Sequence, residues 1–385
     1  MGEDMRIHCL NSISTVGLHE LPQDFILTQT LDDADAVLVR SAVMHDMMIP
    51  KSLKAVARAG AGVNNIPLDA YAKQGIVCFN TPGANANAVK ELIIAGMLLA
   101  SRDIIGGANW IQANKQDPEI AKTVEKAKNQ FGGTEIKGKT IGIVGLGAIG
   151  MQLAKSCASL GMKIIGYERF VSRIDRLEMP EGMVLASQVE ELYPVCDFIS
   201  LNVPLNNETK YMIDQKALDK MKDGIIILNF ARDQLVCDQD IKVALENKKV
   251  RCYVTDFPNN ETANMKGVLA IPHLGASTEE AEDNCAVMAV HQLVDFFKQG
   301  NIKNSVNFPD ATLGIKKHPR ITLLGEVSLD PSKIIDLIGQ QRIMQSMIQT
   351  NGKYTTMIYD LAKPLDDKMN QALQSVPGLL RIHHT

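Results

Sequence analysis

Six short and almost wholly apolar segments follow one another after Lys139, and segments with helical periodicity lie between them. They read TIGIV, MKIIGYE, DFISLNVP, GIIILNFAR, VRCYVTDFP and VLAIPHLG. Such runs are typical of strands that helices cover on both faces, as in a parallel sheet. A similar alternation comes earlier, with apolar runs in residues 35–41, 51–60 and 75–83 before a helical pattern from Ala86 to Ser101. The sequence therefore predicts an α/β protein with two parallel sheets.

The tail of the chain, from His318 onwards, has a different pattern. Its segments follow one another as strand, helix, strand, strand, helix and strand. This order is typical of a small α+β domain rather than of a continuing parallel sheet. We therefore predict a third domain at residues 309–385, and the Pro- and Gly-containing segment 307–319 is the expected linker.

Length, charge and cysteine usage exclude several classes of protein. A chain of 385 residues exceeds what one hydrophobic core usually supports, so two or three domains are expected. The formal net charge of -4 argues against a nucleic-acid-binding protein, and seven cysteines without a CxxC pair argue against a disulfide framework or a zinc site. No segment approaches the roughly 18 apolar residues of a membrane span, and the first residues lack a secretory-signal pattern. These features predict a cytoplasmic protein without a metal, membrane or nucleic-acid partner.

A glycine-rich turn directly follows the first of the six apolar strands. Gly145, Gly147 and Gly150 have the spacing GxGxxG between the strand TIGIV and a helical segment. The spacing alone is weak evidence, but a strand before it and a helix after it are what a dinucleotide-binding turn needs. The first glycine permits the tight turn, the second lets the backbone approach a pyrophosphate, and the third allows the helix to pack on the strand. We therefore predict that the N-terminus of this helix binds the phosphates of a dinucleotide.

The choice of dinucleotide depends on Glu168, which ends the next strand. A carboxylate at this place accepts hydrogen bonds from the ribose of adenosine and repels a 2′-phosphate, so NAD is the predicted cofactor. Two alternatives remain open. Arg169 could accommodate a 2′-phosphate and favour NADP, or Glu168 and Arg169 could be no more than a solvated charge pair.

Three polar residues, Arg232, Glu261 and His273, lie at or just beyond the ends of later strands, where ligands bind in open α/β sheets. Each has an ordinary explanation as an ion-pair partner, a solvated loop carboxylate or a structural histidine. Together, in this order and after the glycine-rich turn, they resemble the D-isomer-specific 2-hydroxyacid dehydrogenases. The resemblance covers about residues 1–308.

The resemblance implies two Rossmann-like or flavodoxin-like parallel-sheet domains, with a nucleotide domain inserted into a substrate domain. The long helical segments 86–101 and 277–299 would connect them. The implied limits are a substrate-binding domain at residues 1–97 and 277–308, an NAD-binding domain at 98–276, and the tail domain at 309–385.

The resemblance also implies a role for each residue of the triad. His273 would take the proton of the substrate hydroxyl as hydride leaves C2 for the nicotinamide. Glu261 would hold and polarise the imidazole, and Arg232 would orient the substrate carboxylate and carbonyl. One departure is Asp233, since the family usually has glycine after this arginine. Asp tolerates left-handed backbone better than most residues, so we expect the turn to survive.

The family pattern places the cofactor against a larger set of residues. Asp256 corresponds to an aspartate near the nicotinamide carboxamide, although an ordinary turn-forming role is nearly as good an explanation. The predicted cofactor-binding residues are Gly145, Gly147, Ala148, Ile149, Gly150, Glu168, Val203, Pro204, Phe230, Ala231 and Asp256.

Segments of the first domain resemble the branch of the family that acts on a phosphorylated 2-hydroxy acid. In that resemblance Gly62 and Val63 offer backbone N–H groups to the substrate carboxylate, Arg40 and Arg58 supply cationic donors towards the substrate and its phosphate, and Asn87 lies near substrate and nicotinamide. Arginine suits phosphate because its planar group donates in pairs. An ion pair at a strand end is the ordinary alternative for Arg40.

The tail resembles an ACT domain, a regulatory module found in that branch. Residues 325–331 lack the His, Asn and Gly of the serine-binding loop, so inhibition by serine is not expected. An arm between Trp110 and Lys139 implies a homodimer or homotetramer. A reductase of small unphosphorylated acids, such as glyoxylate or hydroxypyruvate, and a non-catalytic dinucleotide-binding regulator remain alternatives.

Overall fold

The computed structural model describes residues 4–170 and 178–385. They form two compact units, and the second is inserted into the sequence of the first. One unit combines Met1–Asn85 with Glu279–Thr385, and the other is Ala86–Thr278. The domain limits predicted from the sequence differ from the limits of these units and stay predictions.

The unit Ala86–Thr278 contains a seven-stranded sheet in which all neighbouring strands are parallel. Its strands are β6 Thr140–Val144, β7 Lys163–Tyr167, β8 Val184–Ala186, β9 Phe198–Leu201, β10 Ile225–Asn229, β11 Val250–Thr255 and β12 Val268–Ala270. Their order is β12-β11-β10-β9-β6-β7-β8. From β6 the strands are added first towards one edge of the sheet, as β7 and β8, and then towards the other, beginning with β9. Doubly wound sheets bind ligands at the point where the strand order reverses in this way, here between β6 and β9.

The helices of this unit are α3 Ala86–Ser101, α4 Ile104–Ala113, α5 Ile120–Ala127, α6 Ala148–Ser159, α7 Gln215–Lys220 and α8 Asp238–Glu246. Helices α3, α6, α7 and α8 pack buried side chains against the sheet and explain its apolar strands. The strands contribute to two clusters of buried side chains, and Val144 and Ile143 of β6 belong to different clusters. Successive residues of a strand point to opposite faces, so both faces of this sheet are buried.

The other unit contains a five-stranded parallel sheet in the order β2-β1-β3-β4-β5. The strands are β1 Met5–Cys9, β2 Phe25–Thr28, β3 Ala36–Val39, β4 Ala55–Arg58 and β5 Val77–Phe79, and the helices are α1 Thr15–Leu18, α2 Leu68–Lys73 and α9 Glu279–Gln299. Helix α9 buries Ala286, Val290 and Leu293 against this sheet. The start of α9 therefore lies beside the residues that follow the strands of this unit.

The tail folds as predicted, in the order βαββαβ. Its elements are β13 Arg320–Glu326, α10 Pro331–Ile338, β14 Ile343–Thr350, β15 Tyr354–Leu361, α11 Asp367–Gln374 and β16 Leu379–His384. They form an antiparallel sheet in the order β14-β15-β13-β16. The α/β fold class with a small α+β tail is therefore confirmed.

The sheet of the tail packs against the end of α9. The imidazole of His383 stacks on the ring of Phe296, with ring centroids 4.5 Å apart and an interplanar angle of 16°. The guanidinium of Arg320 is fully buried and pairs with Asp360 through Nε–Oδ1 and Nη2–Oδ2 contacts of 2.5 and 3.0 Å. Nη1 of Arg320 also donates to the carbonyl of Gln299, the last residue of α9. No helix in the described part of the chain is long and apolar enough to cross a membrane.

Candidate functional site

The glycine-rich turn has the geometry that a dinucleotide needs. Gly145 has φ +90°, and a Cβ on it would lie 2.6 Å from the carbonyl oxygen of Asn202. A Cβ on Gly150 would lie 2.0 Å from the carbonyl oxygen of Gly145, so the first turn of α6 packs directly on the loop. A Cβ on Gly147 would meet nothing within 4 Å, and no side chain caps the helix that begins after it. Gly147, Ala148 and Ile149 therefore offer N–H groups that no side chain caps, next to open space for a ligand.

Glu168 lies just beyond β7, next to this turn. Its carboxylate accepts the backbone N–H groups of Leu146 and Phe170, both at 3.1 Å. The carboxylate is therefore fixed beside the glycine-rich turn, on the ribose side of the predicted cofactor site. Arg169 pairs with Glu208 instead of with Glu168. Glu168 and Arg169 therefore do not form the charge pair that was one of the alternatives.

The neighbouring strand ends carry the other predicted cofactor contacts. Val203 follows β9 and touches the place where a Cβ of Gly145 would lie. The carbonyl of Pro204 accepts the hydroxyl of Thr209 at 2.7 Å. The ring of Phe230 is buried against α3, where a Cβ on Gly96 would lie 2.8 Å from its Cζ. Only the backbone of Phe230 therefore remains for a ligand at this strand end. At Ala231 the carbonyl accepts Nη1 of Arg232 at 2.6 Å.

The turn that presents Arg232 is built by the side chain of Asn229. Its Oδ1 accepts the N–H groups of Ala231 and Arg232 at 3.3 and 3.4 Å, and its Nδ2 donates to the carbonyl of Arg232 at 2.8 Å. Nδ2 also donates to the hydroxyl of Tyr253 on β11. Asp233 then begins a short 3-10 turn at negative φ. The turn therefore survives with Asp233 in place of the family's glycine, and it does so without left-handed backbone.

Asp256 follows β11 and is fully buried. Among the described residues, no group completes a hydrogen bond to either oxygen of its carboxylate. Burial raises the pKa of Asp256 to about 6, although the nearby N–H of Gly275 and the charge of Arg232 oppose this shift. A buried carboxylate without hydrogen-bond partners is energetically unfavourable, so a donor from a bound molecule would stabilise it. A carboxamide N–H of a nicotinamide would supply such a donor, so these residues fit the predicted cofactor.

Arg232 and His273 both contact one aromatic ring, that of Phe257. The ring of Phe257 has its centroid 4.3 Å from that of the His273 imidazole, with planes inclined by 45°. The guanidinium carbon of Arg232 lies 5.4 Å from the same ring centroid. Arg232 and His273 are both exposed, as reacting groups must be. Two of the three predicted catalytic residues are therefore brought together by Phe257.

Glu261 lies in the loop between β11 and β12. Its backbone N–H donates to Oδ1 of Asn259 at 2.9 Å, it precedes a 3-10 turn at Thr262–Asn264, and its side chain is exposed. An exposed carboxylate in this loop is consistent with the predicted role. The pairing of Glu261 with His273 stays a prediction.

In the other unit, Arg40 is held by its loop and by an ion pair. Oδ1 of Asn11 accepts three consecutive N–H groups, those of Arg40, Ser41 and Ala42, at 3.1, 3.2 and 2.9 Å. On the other side, Nδ2 of Asn65 donates to the carbonyl of Ala42 at 2.8 Å. The guanidinium of Arg40 contacts Glu282 of α9, with Nη2 and Oε1 2.7 Å apart. The ion pair that was the ordinary alternative for Arg40 is therefore present.

The remaining predicted substrate residues of this unit form one loop. Arg58 ends β4, and its Nη1 occupies the space beside Gly60, where a Cβ would lie only 2.3 Å away. Gly62 and Val63 follow, and no backbone hydrogen bond among the described residues uses their N–H groups. Two adjacent unused N–H groups suit a carboxylate.

Asn87 belongs to the unit Ala86–Thr278, in the first turn of α3. Its amide is fixed at both ends, because Nδ2 donates to Glu91 at 2.9 Å and Oδ1 accepts Nζ of Lys90 at 2.6 Å. A Cβ on Gly275 would lie 3.3 Å from Val89 and 3.2 Å from Asp256, so the start of α3 lies beside the buried carboxylate. Asn87 is thus placed near the nicotinamide end of the predicted cofactor.

Sequence reasoning missed four residues that build these sites. Asn11 and Asn229 were detectable in principle, since asparagine directly after or at the end of a strand often caps the following turn. Phe257 and Lys90 gave no signal, because an aromatic residue or a lysine in a short loop or first turn has many ordinary roles.

The sheet order, the glycine-rich turn and the unpartnered Asp256 define the unit Ala86–Thr278 as a dinucleotide-binding α/β unit. Residues 94–275 match the model of the D-isomer specific 2-hydroxyacid dehydrogenase NAD-binding domain. The predicted resemblance to this family is therefore confirmed, and so is NAD as the cofactor of its nucleotide domain.

Named relatives refine the comparison. D-3-phosphoglycerate dehydrogenase of Methanocaldococcus jannaschii is 33% identical over 74% of this chain and 54% of its own length. An NAD+-bound 3-phosphoglycerate dehydrogenase of Entamoeba histolytica is 28% identical, with a TM-score of 0.62 over 79% of this chain and 99% of that one. A glyoxylate reductase of Paecilomyes thermophila has the same TM-score and 26% identity, over 79% of this chain and 99% of its own. The chain spans about half the length of the curated relatives it matches.

Proposed function

We propose that this protein is an NAD-dependent dehydrogenase that oxidises 3-phospho-D-glycerate to 3-phosphohydroxypyruvate, the first step of phosphorylated L-serine biosynthesis. The observation that carries the proposal is the placement of Arg232 and His273 against the ring of Phe257 at the ends of β10, β11 and β12. A cation that can orient an anionic substrate and an imidazole that can accept a proton are the two groups this reaction needs.

The reaction divides between cofactor and protein. Bound NAD+ supplies an acceptor for the hydride, which leaves C2 of the substrate with both electrons of the C–H bond. The imidazole of His273 takes the hydroxyl proton as the C2–O bond becomes a carbonyl, and it returns the proton in the reverse direction. Arg232 holds the carboxylate and carbonyl oxygens by charge-assisted hydrogen bonds. Glu261 favours the protonated imidazole, as a nearby carboxylate does.

Cofactor contacts in the proposal follow the geometry of the unit Ala86–Thr278. The N–H groups at Gly147, Ala148 and Ile149 bind the pyrophosphate, and Glu168 binds the adenosine ribose. The backbone of the strand ends, at Val203, Pro204, Phe230 and Ala231, borders the ribose and nicotinamide. Asp256 accepts the carboxamide N–H.

Substrate recognition in the proposal uses cations and backbone N–H groups of the other unit. Gly62 and Val63 bind the carboxylate, Arg40 and Arg58 attract the phosphate, and Asn87 adds an amide near the reacting carbon. The names of the relatives at 31–37% identity support a phosphorylated substrate. Arg40 must exchange Glu282 for the substrate, and such an exposed pair is weak enough to be displaced.

A second candidate function is reduction of glyoxylate or hydroxypyruvate. It is favoured by the likeness to a glyoxylate reductase structure, whose identity of 26% is close to the 28% of the phosphoglycerate dehydrogenase structure. The two functions differ in whether a phosphate is needed for efficient turnover.

The test is the absorbance of NADH at 340 nm with 3-phosphohydroxypyruvate, hydroxypyruvate and glyoxylate as substrates. We expect kcat/KM to be at least about 10-fold higher for the phosphorylated acid, since one charge-assisted hydrogen bond contributes that much. Equal or higher kcat/KM for glyoxylate would support the second candidate instead.

We also infer a homodimer or homotetramer in the cytoplasm. Helix α4 buries none of its residues within this chain, and Ile104, Ile105 and Ile111 on it are 48%, 39% and 38% exposed. An apolar arm of this kind is typical of a subunit interface. The seven unpaired cysteines suit a reducing compartment. A monomeric mass by light scattering at micromolar concentration would refute the oligomer.

The tail is proposed to be an ACT-like module that contacts another subunit or binds an effector other than serine. In its first loop the side chain of Asp330 accepts the N–H of Ser332 and caps α10. That carboxylate therefore has a structural role. The loop has no histidine or asparagine with which to bind an amino acid.

A further inference from the structure

Among the described residues, the aromatic ring of Phe257 contacts two of the three proposed catalytic residues, Arg232 and His273. Phe257 stands two residues beyond β11, and its backbone N–H donates to Oγ1 of Thr255 at 3.0 Å. Thr255 is itself fully buried, and its carbonyl accepts the N–H of Ile271, just after β12. The base of Phe257 is therefore fixed to two neighbouring strand ends.

The two groups that contact Phe257 carry the same charge for part of the reaction. Arg232 is always a cation, and His273 becomes one when it takes the substrate proton. Two like charges at neighbouring strand ends repel, which disfavours protonation of the imidazole. The face of an aromatic ring carries negative electrostatic potential and attracts cations. A ring in contact with both groups therefore stabilises both cations.

We propose that Phe257 is a positioning residue, which sets the separation of Arg232 and His273 and favours the protonated form of the imidazole through its ring. The inference rests on the proposed function, because it gives Phe257 a role in proton transfer. Other charged groups on the adjacent segments are Asp256, which is buried beside Gly275, and Glu261, which is exposed on the following loop. Neither is changed by substitution of Phe257.

The first test compares Phe257→Leu, which keeps an apolar side chain but removes the ring, with Phe257→Tyr, which keeps the ring. We expect kcat of Phe257→Leu to fall about 10-fold or more and its solvent deuterium isotope effect to rise, while the Kd of NADH by fluorescence stays unchanged. Phe257→Tyr should restore most of kcat. Equal kcat values for Phe257→Leu and wild type would overturn the proposal.

A matched control is Tyr211→Leu. Tyr211 is 44% exposed in the same unit, and the ammonium of Lys210 lies 5.1 Å from its ring centroid. This substitution removes a ring beside a cation that is not a catalytic residue, and it keeps the backbone N–H that Tyr211 donates to Gln234, so kcat should stay within about twofold of wild type.

The second test is a double-mutant cycle with His273→Gln. If Phe257 acts through His273, adding Phe257→Leu to His273→Gln should lower kcat by less than about threefold, since residues that act together are not additive. Full additivity of the two losses would show that the ring has a merely structural role.

The third test does not need turnover. The titration midpoint of the His273 imidazole, followed by NMR, should fall by about half a pH unit in Phe257→Leu, as loss of one cation–ring contact implies. If the wild type reduced none of the three acids, the proposed function would fail, but this titration would still decide the role of Phe257. An unchanged or higher midpoint in Phe257→Leu would contradict the proposed effect of the ring on the imidazole.

Discussion

In the unit Ala86–Thr278, Arg232, Phe257 and His273 stand two or three residues beyond three adjacent strands. Short-range hydrogen bonds fix Arg232 and Phe257, and His273 packs on the ring of Phe257. In the other unit, Arg40 depends on Asn11 and Asn65, which lie 29 and 25 residues away, and on Glu282 of α9. The first arrangement is local to each strand end, whereas the second needs the whole fold of its unit. The groups proposed for chemistry are therefore set by turns, and the groups proposed for anion recognition are set by tertiary contacts.

The electrostatic state of the two sets also differs. Arg40 already pairs with a carboxylate, whereas the buried carboxylate of Asp256 has no completed hydrogen bond among the described residues. Under the proposed function, the substrate displaces Glu282 from Arg40 in one unit, while the cofactor supplies a hydrogen-bond partner to Asp256 in the other. We expect cofactor binding to stabilise the unit Ala86–Thr278 strongly, since ligands that satisfy buried groups bind only the folded state.

The largest expected effect is on chemistry. Replacing His273 by glutamine removes the proton acceptor, so kcat should fall about 100-fold or more, the usual scale for general acid–base catalysis. The Kd of NADH should stay within about twofold of wild type. Near-normal turnover of His273→Gln would break the assignment of catalysis to these strand ends.

The next effect is on the stability of the cofactor-free protein. The pKa of Asp256 is raised to about 6, so the stability that its neutral form provides is present at low pH and is lost as pH rises through 6. At pH 8 the buried charge costs on the order of 3 kcal/mol, and Asp256→Asn should therefore raise the Tm of the cofactor-free protein while weakening NADH binding. A lower Tm for Asp256→Asn at pH 8 would show that the carboxylate is already well satisfied.

In the other unit we expect a smaller pH dependence of stability, with the opposite sign. Burial lowers the pKa of His383 to about 4. Between pH 6.5 and 4 the unfolded chain binds a proton that the folded chain does not, so stability falls as pH falls in this window. From pH 7 to pH 5 the loss is on the order of 2 kcal/mol, and His383→Phe should flatten it in urea unfolding experiments. The exposed histidine variant His318→Phe serves as control and should keep the slope of wild type.

The sequence predicted the strongly apolar elements and the local motifs. The six strands after Lys139, both long helices and the βαββαβ tail were predictable because their patterns are dense and regular. Strands β1, β2 and β8 were not predicted, since they are short and partly exposed, as β2 shows with only Phe25 buried. Among site residues, the glycines follow from spacing, while the contact of Phe257 with Arg232 and His273 depends on which strands are neighbours.

The division of roles between the two units is the central claim, and it is tested most directly by substrate discrimination in Arg40→Gln. We predict that kcat/KM for 3-phosphohydroxypyruvate falls about 10-fold or more, as expected for one lost charge-assisted hydrogen bond, while kcat/KM for unphosphorylated hydroxypyruvate stays within about twofold. Arg6→Gln, which alters another paired arginine of the same unit, is the control and should leave both values unchanged. An equal loss for both acids in Arg40→Gln would contradict the account.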